Sequence, residues 1–266
     1  MNRFSFQLVF ACLWVCVAAC PVCPVCAKEP TSVTVGKSPE HQICFRSGNV
    51  VYLEGLVNGR WVGRHWSNSG RADAGKLWDT DAFVITINDT PSSSEALGAT
   101  LSSGWQWVKS ANVPLKDKGS VHYTVRLAHS SSPISIIIHT LLDGTPVITR
   151  WIDIINTGNK PIALTGLCPW SGRLWNKSAE VTLGHSLRSD CGFEGWFGWT
   201  PLNEGANVFK QPDGLAYDDP YFVLRNESNG EYFIGELAWP VSYVMEFTSR
   251  DGIDFKMGPF AQNALR

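Results

Sequence analysis

The amino-acid sequence predicts an all-β protein, a large antiparallel β-sandwich in a single domain that follows an N-terminal signal segment. Three observations support this. The chain contains many short apolar segments with strand-like alternation, almost none of it has helical periodicity, and turn residues separate the segments. With 266 residues, of which 44% are hydrophobic, the chain is long enough to bury a full core.

The N-terminus is typical of an export signal. Arg3 supplies a positive start, and residues 4–19 form an apolar run that is too short to span a bilayer comfortably. Cleavage after Ala27 suits a signal peptidase, whereas Val17–Cys20 resembles a bacterial lipobox with Cys20 as the acylated residue. We therefore expect a periplasmic or extracellular protein. Simple export is favoured over lipidation, and contact with a membrane is expected only if Cys20 is lipidated.

The predicted organisation has three parts. Residues 1–27 are the signal peptide, or a lipoprotein signal that ends before Cys20, and residues 28–40 form an extended lead-in with Pro and Ser. Residues 41–266 form the sandwich domain, because no linker rich in Pro, Gly or Ser divides them. Five of the eight cysteines lie in or beside the signal. Cys44, Cys168 and Cys191 remain, so an exported chain can join any two of them.

The strands are clearest in the middle of the chain. In Val121–Leu127, apolar residues alternate with polar ones, which predicts a half-buried antiparallel strand. The next two runs, residues 134–141 and 147–155, are nearly continuous in bulky and β-branched residues, and Asp143-Gly144 lies between them. Since Asp-Gly favours a tight turn, this pattern predicts a hairpin at the centre of the sandwich.

A further hairpin is predicted nearer the C-terminus. Tyr221–Leu224 and Glu231–Leu237 flank the polar turn Asn226–Gly230, and Val241–Phe247 follows as another strand. The charge is nearly balanced, with 22 Lys and Arg against 24 Asp and Glu. No basic run is present of the kind that a nucleic acid requires, so that class of partner is excluded.

Tryptophan is abundant, with 12 residues in the chain, and its flat apolar face stacks well on a pyranose ring. A region that we predict to be loop-like combines such rings with groups that bind hydroxyls. The predicted substrate-binding residues are Trp61, Arg64, His65, Trp66, Trp78 and Asp79. The alternative is that these rings fill the core of a thick sandwich.

A second aromatic segment, Gly192–Trp199, alternates glycine with rings and carries Glu194. Because so apolar a segment is typical of an interface, docking and sugar binding are both open for it. Catalytic residues are not predicted. Asp218 and Asp219 are adjacent in an extended segment and point to opposite faces, whereas glycoside hydrolysis needs two carboxyl groups facing one pocket. No histidine pair has metal-ligand spacing and no phosphate-binding loop is found, so no metal or cofactor is expected.

Several of these segments together resemble the N-terminal β-supersandwich domain of family 36 glycoside hydrolases, the α-galactosidase family. The segments are Asp81–Ile87, Ser103–Trp105, Val147–Asn156, Pro161–Leu164, Asp218–Leu224 and Tyr232–Trp239. The resemblance covers roughly Ile43 to Asp254. Members of the family continue into a (β/α)8 barrel that holds the catalytic aspartates. The strand and helix alternation of such a barrel is not found in this sequence, so no catalytic residue is carried over.

The resemblance implies a carbohydrate-associated domain that lacks the barrel, with a role in binding a galactoside-type sugar or in assembly rather than in hydrolysis. Its expected partners are a sugar, a catalytic barrel domain or a second copy of the chain. A free-standing secreted carbohydrate-binding module is the first alternative. A sugar epimerase of the mutarotase type, with His122 or His139 acting together with Glu236, is the second.

Overall fold

The computed structural model describes residues 3–11, 30–37, 40–72, 77–88, 98–175, 180–187, 196–211, 220–238 and 242–259. These residues form 21 strands and no helix. The strands are β1 (Arg3–Ala11), β2 (Thr31–Val35), β3 (Ile43–Ser47), β4 (Val50–Val57), β5 (Arg60–Ser67), β6 (Thr80–Asp81), β7 (Val84–Asn88), β8 (Ala99–Thr100), β9 (Trp105–Val113), β10 (Val121–His129), β11 (Ile134–Leu142), β12 (Val147–Asn156), β13 (Ala163–Cys168), β14 (Trp170–Trp175), β15 (Val181–Leu187), β16 (Trp196–Pro201), β17 (Gly205–Gln211), β18 (Tyr221–Asn226), β19 (Tyr232–Leu237), β20 (Tyr243–Ser249) and β21 (Ile253–Pro259).

One large sheet and three smaller ones make up the fold. The large sheet has nine strands in the order β16-β15-β18-β19-β1-β12-β11-β10-β9. The smaller sheets have the orders β2-β3-β4-β5-β6, β13-β7-β8 and β14-β21-β20-β17. Contacts of β14 with β5 and of β13 with β21 join the smaller sheets. The all-β antiparallel sandwich predicted from the sequence is therefore confirmed.

A single cluster of buried apolar side chains connects the large sheet with the smaller ones. Ile136 and Ile152 of the nine-stranded sheet belong to it, together with Phe45, Ile85 and Phe255 of the three smaller sheets. Several strands contribute alternate residues, as β10 shows, where Tyr123, Val125 and Leu127 are buried and the residues between them are half-buried. This alternation is the periodicity from which the sandwich was predicted.

The predicted hairpins are also present. Strands β11 and β12 pair from Ile134↔Asn156 to Leu142↔Ile148, and Gly144 in the turn has φ of 86°. A positive φ is a conformation that glycine adopts without steric cost, which explains the Asp-Gly signal. Strands β18 and β19 form the second predicted hairpin. The strand expected to follow is β20, which pairs with β17 and β21 in another sheet.

The N-terminal residues take a place in the large sheet, where β1 lies between β12 and β19. The export signal predicted for the same residues stays a prediction. The cleavage position after Ala27, Cys20, Cys191 and the Asp218-Asp219 pair lie outside the described residues. In the described part of the chain, no helix has the length and hydrophobicity that crossing a membrane requires.

One sequence prediction is wrong. The region of Trp61 and Trp66 is not loop-like, because Arg60–Ser67 forms β5, paired with β4 along its length. A β-bulge opposite Leu53 and Glu54 makes Arg64 an extra residue in β5. The bulge interrupts the alternation of apolar residues, so the segment lacks the period-two pattern by which the other strands were recognised.

Candidate functional site

An open cavity of about 430 Å³ lies where the C-terminal end of β5 meets the turn between β18 and β19. Its walls come from the end of β5, the segment that follows β5, the end of β14 and the start of β19. The rings at the cavity are Trp66, Trp78, Trp175, Tyr232 and Phe233, and the polar groups include His65, Asn68, Arg71 and Glu231. Apolar rings with a few convergent polar groups are the usual composition of a small-molecule site.

The bulge in β5 sets the direction of two side chains at the cavity. Glu54 of β4 pairs with Gly63, but Leu53 pairs with His65 and Tyr52 with Trp66. Without the bulge, His65 would lie opposite Tyr52. The shift by one residue instead brings Trp66 beside Tyr52, with ring centroids 4.3 Å apart. Gly63 is required here, because a Cβ at that position would lie 2.9 Å from Tyr52 Oη.

Glu231 is the carboxylate of the cavity, and its orientation is fixed by neighbours. Trp175 Nε1 donates a hydrogen bond of 3.0 Å to Glu231 Oε2, and Asn68 Nδ2 donates one of 3.2 Å to Oε1. Asn229 Nδ2 donates a third, of 2.8 Å, to Oε2. A half-buried carboxylate held by three amide or indole donors is preorganised to accept a further hydrogen bond from a hydroxyl group.

Trp78 forms another part of the wall. Its backbone N–H donates to Arg64 O at 3.0 Å, which anchors the segment to β5, and its ring lies 5.5 Å from that of His65. Among the described residues, the buried Trp78 Nε1 has no hydrogen-bond acceptor. Since buried indole N–H groups usually have a partner, this N–H is a donor whose hydrogen-bonding capacity is not used by the described residues.

The structure separates the six predicted sugar-binding residues into two groups. His65, Trp66 and Trp78 line the cavity, whereas Trp61, Arg64 and Asp79 do not. Trp61 is 2% exposed and belongs to the core cluster.

The charged pair of the second group lies on another surface of the protein. Arg64 bridges Asp79 at 3.0 Å and Glu40 at 2.8 Å. Whether any of the six residues binds a sugar stays a prediction.

A second, smaller cavity of about 290 Å³ contains several charged groups, but they neutralise one another. Asp81 accepts two hydrogen bonds from Arg60, at 2.9 and 2.7 Å, and Asp254 accepts two from Arg173, at 2.8 and 3.0 Å. These pairs leave little unbalanced charge for a ligand. In the described part of the chain, no group of three or more His, Cys, Asp or Glu is placed to hold a metal ion.

A third polar cluster lies on β10, β11 and β12. His122 Nε2 and His139 Nδ1 are 2.9 Å apart, and His139 Nε2 lies 3.0 Å from Asp153 Oδ2. The Trp151 ring stacks on His139 at 4.7 Å. Burial, and then the neighbouring His139, lower the pKa of His122 below its usual value. The cluster is a hydrogen-bonded chain from a buried carboxylate to the surface.

The epimerase alternative requires one of these histidines to act together with Glu236. Glu236 lies on β19, and the sheet order puts β1 and β12 between β19 and β11, with β11 next to β10. Since neighbouring strands are about 4.8 Å apart, Glu236 is separated from His139 by roughly 14 Å and from His122 by roughly 19 Å. Neither histidine therefore lies on a strand next to that of Glu236, and the epimerase alternative stays a prediction.

The cysteines described by the structure are reduced and apart. Cys44 and Cys168 are both free thiols. Burial raises the pKa of Cys168 to about 12, so its thiol stays protonated at neutral pH. The sequence left the disulfide pairing open, and the structure shows no pair between these two residues.

Sequence comparison adds little to this picture, because no family model and no curated protein matches the chain. Solved structures do match. The α-galactosidase AgaA from Geobacillus stearothermophilus, of glycoside hydrolase family 36, superposes with a TM-score of 0.65 at 14% identity over 82% of this chain. The galactosidase domain of the α-galactosidase-sucrose kinase AgaSK gives 0.66 at 12% identity over 86%. The α-galactosidase from Lactobacillus brevis gives 0.62 at 10% identity over 82%.

These matches confirm the fold implied by the resemblance to family 36. The chain spans only 37%, 38% and 36% of the three α-galactosidase chains, in the same order. It is therefore similar to a part of those proteins, an all-β part. At this level of identity the likeness establishes the fold, and the activity of the longer proteins does not follow from it.

Trp175 and Glu231 are among the cavity residues that were not predicted from the sequence. Trp175 and Glu231 are 56 residues apart and meet at the cavity through a side-chain hydrogen bond. The available signals were the high tryptophan content and the polar turn between β18 and β19. Neither signal shows which tryptophan approaches which carboxylate, since that depends on how the sheets pack.

Proposed function

We propose that this chain is an exported, carbohydrate-binding sandwich domain of the family 36 α-galactosidase type, and that it binds a galactoside-type sugar in the cavity beside β5. The observation that carries the proposal is the arrangement of Trp66, Trp78 and Trp175 around the fixed carboxylate of Glu231. The proposed export rests on Arg3 and the apolar run that follows it.

The groups at the cavity match the chemistry of a sugar. A pyranose has apolar C–H faces that stack on aromatic rings, and hydroxyls that both donate and accept hydrogen bonds. The Glu231 carboxylate accepts a hydrogen bond from a hydroxyl, whereas Trp78 Nε1 and Arg71 are donors. The volume of about 430 Å³ is within the range of small-molecule sites.

The proposed role is binding and not hydrolysis. Glycoside hydrolysis uses two carboxyl groups on opposite sides of the scissile bond. Among the described residues that line this cavity, Glu231 is the one with a carboxylate. Its three donors hold it as a hydrogen-bond acceptor.

Titration calorimetry of the purified chain tests the proposal. Galactose, melibiose and raffinose would each be titrated into the wild-type protein, Glu231→Gln and Trp78→Ala. Because hydrogen bonds to charged groups contribute about 1.5–3 kcal/mol, we expect Glu231→Gln to weaken binding about tenfold or more. Trp78→Ala should weaken it similarly, because it removes both the ring and the indole donor.

Trp199→Ala is the matched control, since this tryptophan is 43% exposed, lies on β16 and is not a lining residue of the cavity. It should bind the sugars like the wild-type protein. Binding that is unchanged in Glu231→Gln and Trp78→Ala would contradict the proposal, as would the absence of binding to all three sugars. Nitrophenyl galactoside should not be hydrolysed by any of these proteins.

A second candidate function, assembly with a catalytic domain, is favoured by a different surface. Phe197 and Trp199 on β16 are 41% and 43% exposed. Phe197 stacks with Tyr221 at 6.1 Å, and Arg225 lies 4.8 Å above the Trp199 ring. Aromatic rings with an arginine are the composition of interface hot spots. They lie at the end of the Gly192–Trp199 segment that the sequence predicted as a docking or sugar-binding surface.

Phe197→Ser and Trp199→Ser would test this second role. If the surface docks a catalytic domain, these variants should lose retention of a barrel domain in a pull-down, while their sugar binding in calorimetry is unchanged. Glu231→Gln provides the reverse control, with docking retained and sugar binding reduced. Equal retention of the barrel by all variants would exclude the role.

A further inference from the structure

The nine-stranded sheet is continuous only because β1 lies in its middle. Strand β1 pairs antiparallel with β12 from Arg3↔Ile155 to Ala11↔Val147, and with β19 from Leu8↔Leu237 to Ala11↔Ile234. In the described part of the chain it is the one strand that joins the β9–β12 half of the sheet to the β15–β19 half.

The same residues are the beginning of the predicted export signal, and the two roles exclude each other. Cleavage after Ala27 would remove β1 from the exported protein. Strands β12 and β19 would then both lose a partner in the middle of the sheet. A row of unpaired N–H and C=O groups would be exposed along β12, whose residues Ile148, Ile152 and Ile154 are buried.

We propose that the gap between β12 and β19 is a strand-acceptor site, which binds an extended segment of a partner chain after the N-terminal segment has been removed. The proposal rests on the exported state included in the proposed function. It does not depend on sugar binding at the cavity. Backbone hydrogen bonds to two sheet edges would provide the affinity, as in other complexes where a peptide adds a strand to a sheet.

The pairing of β1 indicates which sequences fit the gap. Phe4, Phe6 and Phe10 pair with residues of β12 that are buried, and Leu8 pairs with Arg150. These buried partners are Ile154, Ile152 and Ile148. The intervening residues Ser5, Gln7 and Val9 pair with Asp153, Trp151 and Thr149. A fitting segment therefore runs antiparallel to β12 and has large apolar residues at every second position.

Arg150 adds an electrostatic requirement. It is fully buried and bridges Glu54 in the opposite layer of the sandwich. Because Glu54 is already paired with Arg150, a second cation at the position opposite Arg150 would have no counter-ion of its own, and an aliphatic residue such as leucine is favoured. The expected partner segment is thus about nine residues long and apolar at alternate positions, with no Lys or Arg at those positions.

The test uses the full chain with a protease site inserted between β1 and β2. After cutting, β1 is held only by noncovalent contacts, so a fluorescein-labelled peptide can replace it. The probe is a peptide with the sequence of residues 3–11 and two added lysines for solubility. We expect it to bind the cut protein and not the uncut one. A control peptide has the same composition, but its large apolar residues are moved to the intervening positions of the strand. It should bind at least about tenfold more weakly.

Three results would overturn the proposal. The first is failure of the labelled peptide to bind the cut protein, or equal binding of both peptides. The second is mass spectrometry showing that the exported protein retains residues 3–11, which would make β1 a permanent strand. The third is a dimer that forms on cutting and blocks the peptide, which would assign the gap to a second copy of the chain. Sugar titration on the uncut protein reports separately on the proposed function.

Discussion

Glu54 and Glu231 are both held by hydrogen bonds from neighbouring side chains, but at different depths in the sandwich. Glu54 is fully buried between the layers and pairs with Arg150, whose guanidinium lies 5.2 Å from the centre of the Trp170 ring. Glu231 is half-buried at the cavity, where Trp175 and two asparagines donate to it. The same residue types therefore connect the layers in the interior and line a cavity at the rim.

The energetics of the two carboxylates should differ accordingly. A buried ion pair loses its hydration, so removing one partner leaves an uncompensated charge in a medium where charge is costly. A rim carboxylate keeps access to water, so its loss changes stability little and changes recognition more. The following predictions test this contrast between interior and rim, from the largest expected effect to the smallest.

The largest effect is expected for Arg150→Met, which leaves the Glu54 carboxylate buried without its cation. The free energy of unfolding should fall by about 3–5 kcal/mol. Urea unfolding followed by tryptophan fluorescence measures it. The double variant Arg150→Met with Glu54→Leu should recover most of the loss, since it removes both charges.

Arg64→Met is the matched control for this experiment. Arg64 pairs with Asp79 and Glu40, whose side chains are 39% and 57% exposed, so the cost should be below about 1 kcal/mol. If Arg150→Met lowers the free energy of unfolding no more than Arg64→Met does, buried and exposed ion pairs contribute equally, which would contradict the prediction.

The second effect concerns the hydroxyl groups of Ser47 and Ser67. Ser47 is fully buried. Its Oγ donates to Thr145 O at 2.6 Å and accepts from Gly144 N at 3.1 Å, so it fastens β3 to the β11–β12 turn. Ser47→Ala should reduce the free energy of unfolding by about 1–3 kcal/mol, because the buried Gly144 N–H and the partly buried Thr145 carbonyl both lose a partner. The same urea titration measures the change.

Ser67 provides the rim counterpart, since its Oγ lies 2.8 Å from Ser69 Oγ at an exposed position of the cavity. Ser67→Ala should change the stability by less than about 0.5 kcal/mol. Equal losses for the two serine variants would show that the turn contact of Ser47 contributes nothing beyond an exposed hydroxyl.

Glu231→Gln should have a still smaller effect on folding. Glutamine keeps one carbonyl oxygen that can accept from Trp175 and Asn229, and it loses the bond from Asn68, so the thermal midpoint should shift by no more than a few degrees. The loss of sugar affinity should be the main consequence. A variant that unfolds as readily as Arg150→Met would show that Glu231 is a structural residue rather than a ligand-binding one.

The contrast between interior and rim also explains what could be predicted from the sequence. Local sequence features predicted the strands, the hairpins and the sandwich. Examples are the alternation of apolar and polar residues in Val121–Leu127 and the Asp-Gly turn after β11. The depth at which each tryptophan is buried could not be predicted. Trp61 and Trp66 are five residues apart in β5, yet one is buried in the core and the other lines the cavity.

The β5 bulge puts Trp61 and Trp66 on the same face of the strand, since they pair with Leu56 and Tyr52 of β4, so their different depths reflect their positions along β5. An extra residue in a strand reverses the face to which each later side chain points, and no residue type reliably predicts a bulge. The partnership of Trp175 with Glu231 was also unpredictable, because it depends on the contact between distant strands. The position of β1 was missed for another reason, since an apolar N-terminal run fits an export signal and a sheet strand equally well.

The smallest predicted effect is a dependence of stability on pH that arises from His122. Its pKa is lowered in the folded protein, first by burial and then by His139, whereas in the unfolded chain it returns to about 6.5. The unfolded chain therefore binds more protons between the two values. As the pH falls through 6.5 towards the lower folded value, this histidine destabilises the fold.

Thermal midpoints of the wild-type protein and His122→Gln at pH 7.5 and pH 5.5 would measure this effect. Both proteins lose stability on acidification through other groups, but the wild-type protein should lose slightly more. The difference is expected to be small, because His122 is half-buried and water screens part of the repulsion. A larger loss of stability in His122→Gln than in the wild-type protein would contradict this prediction. It would show that the neighbours of His122 stabilise its protonated ring, as in a buried ion pair.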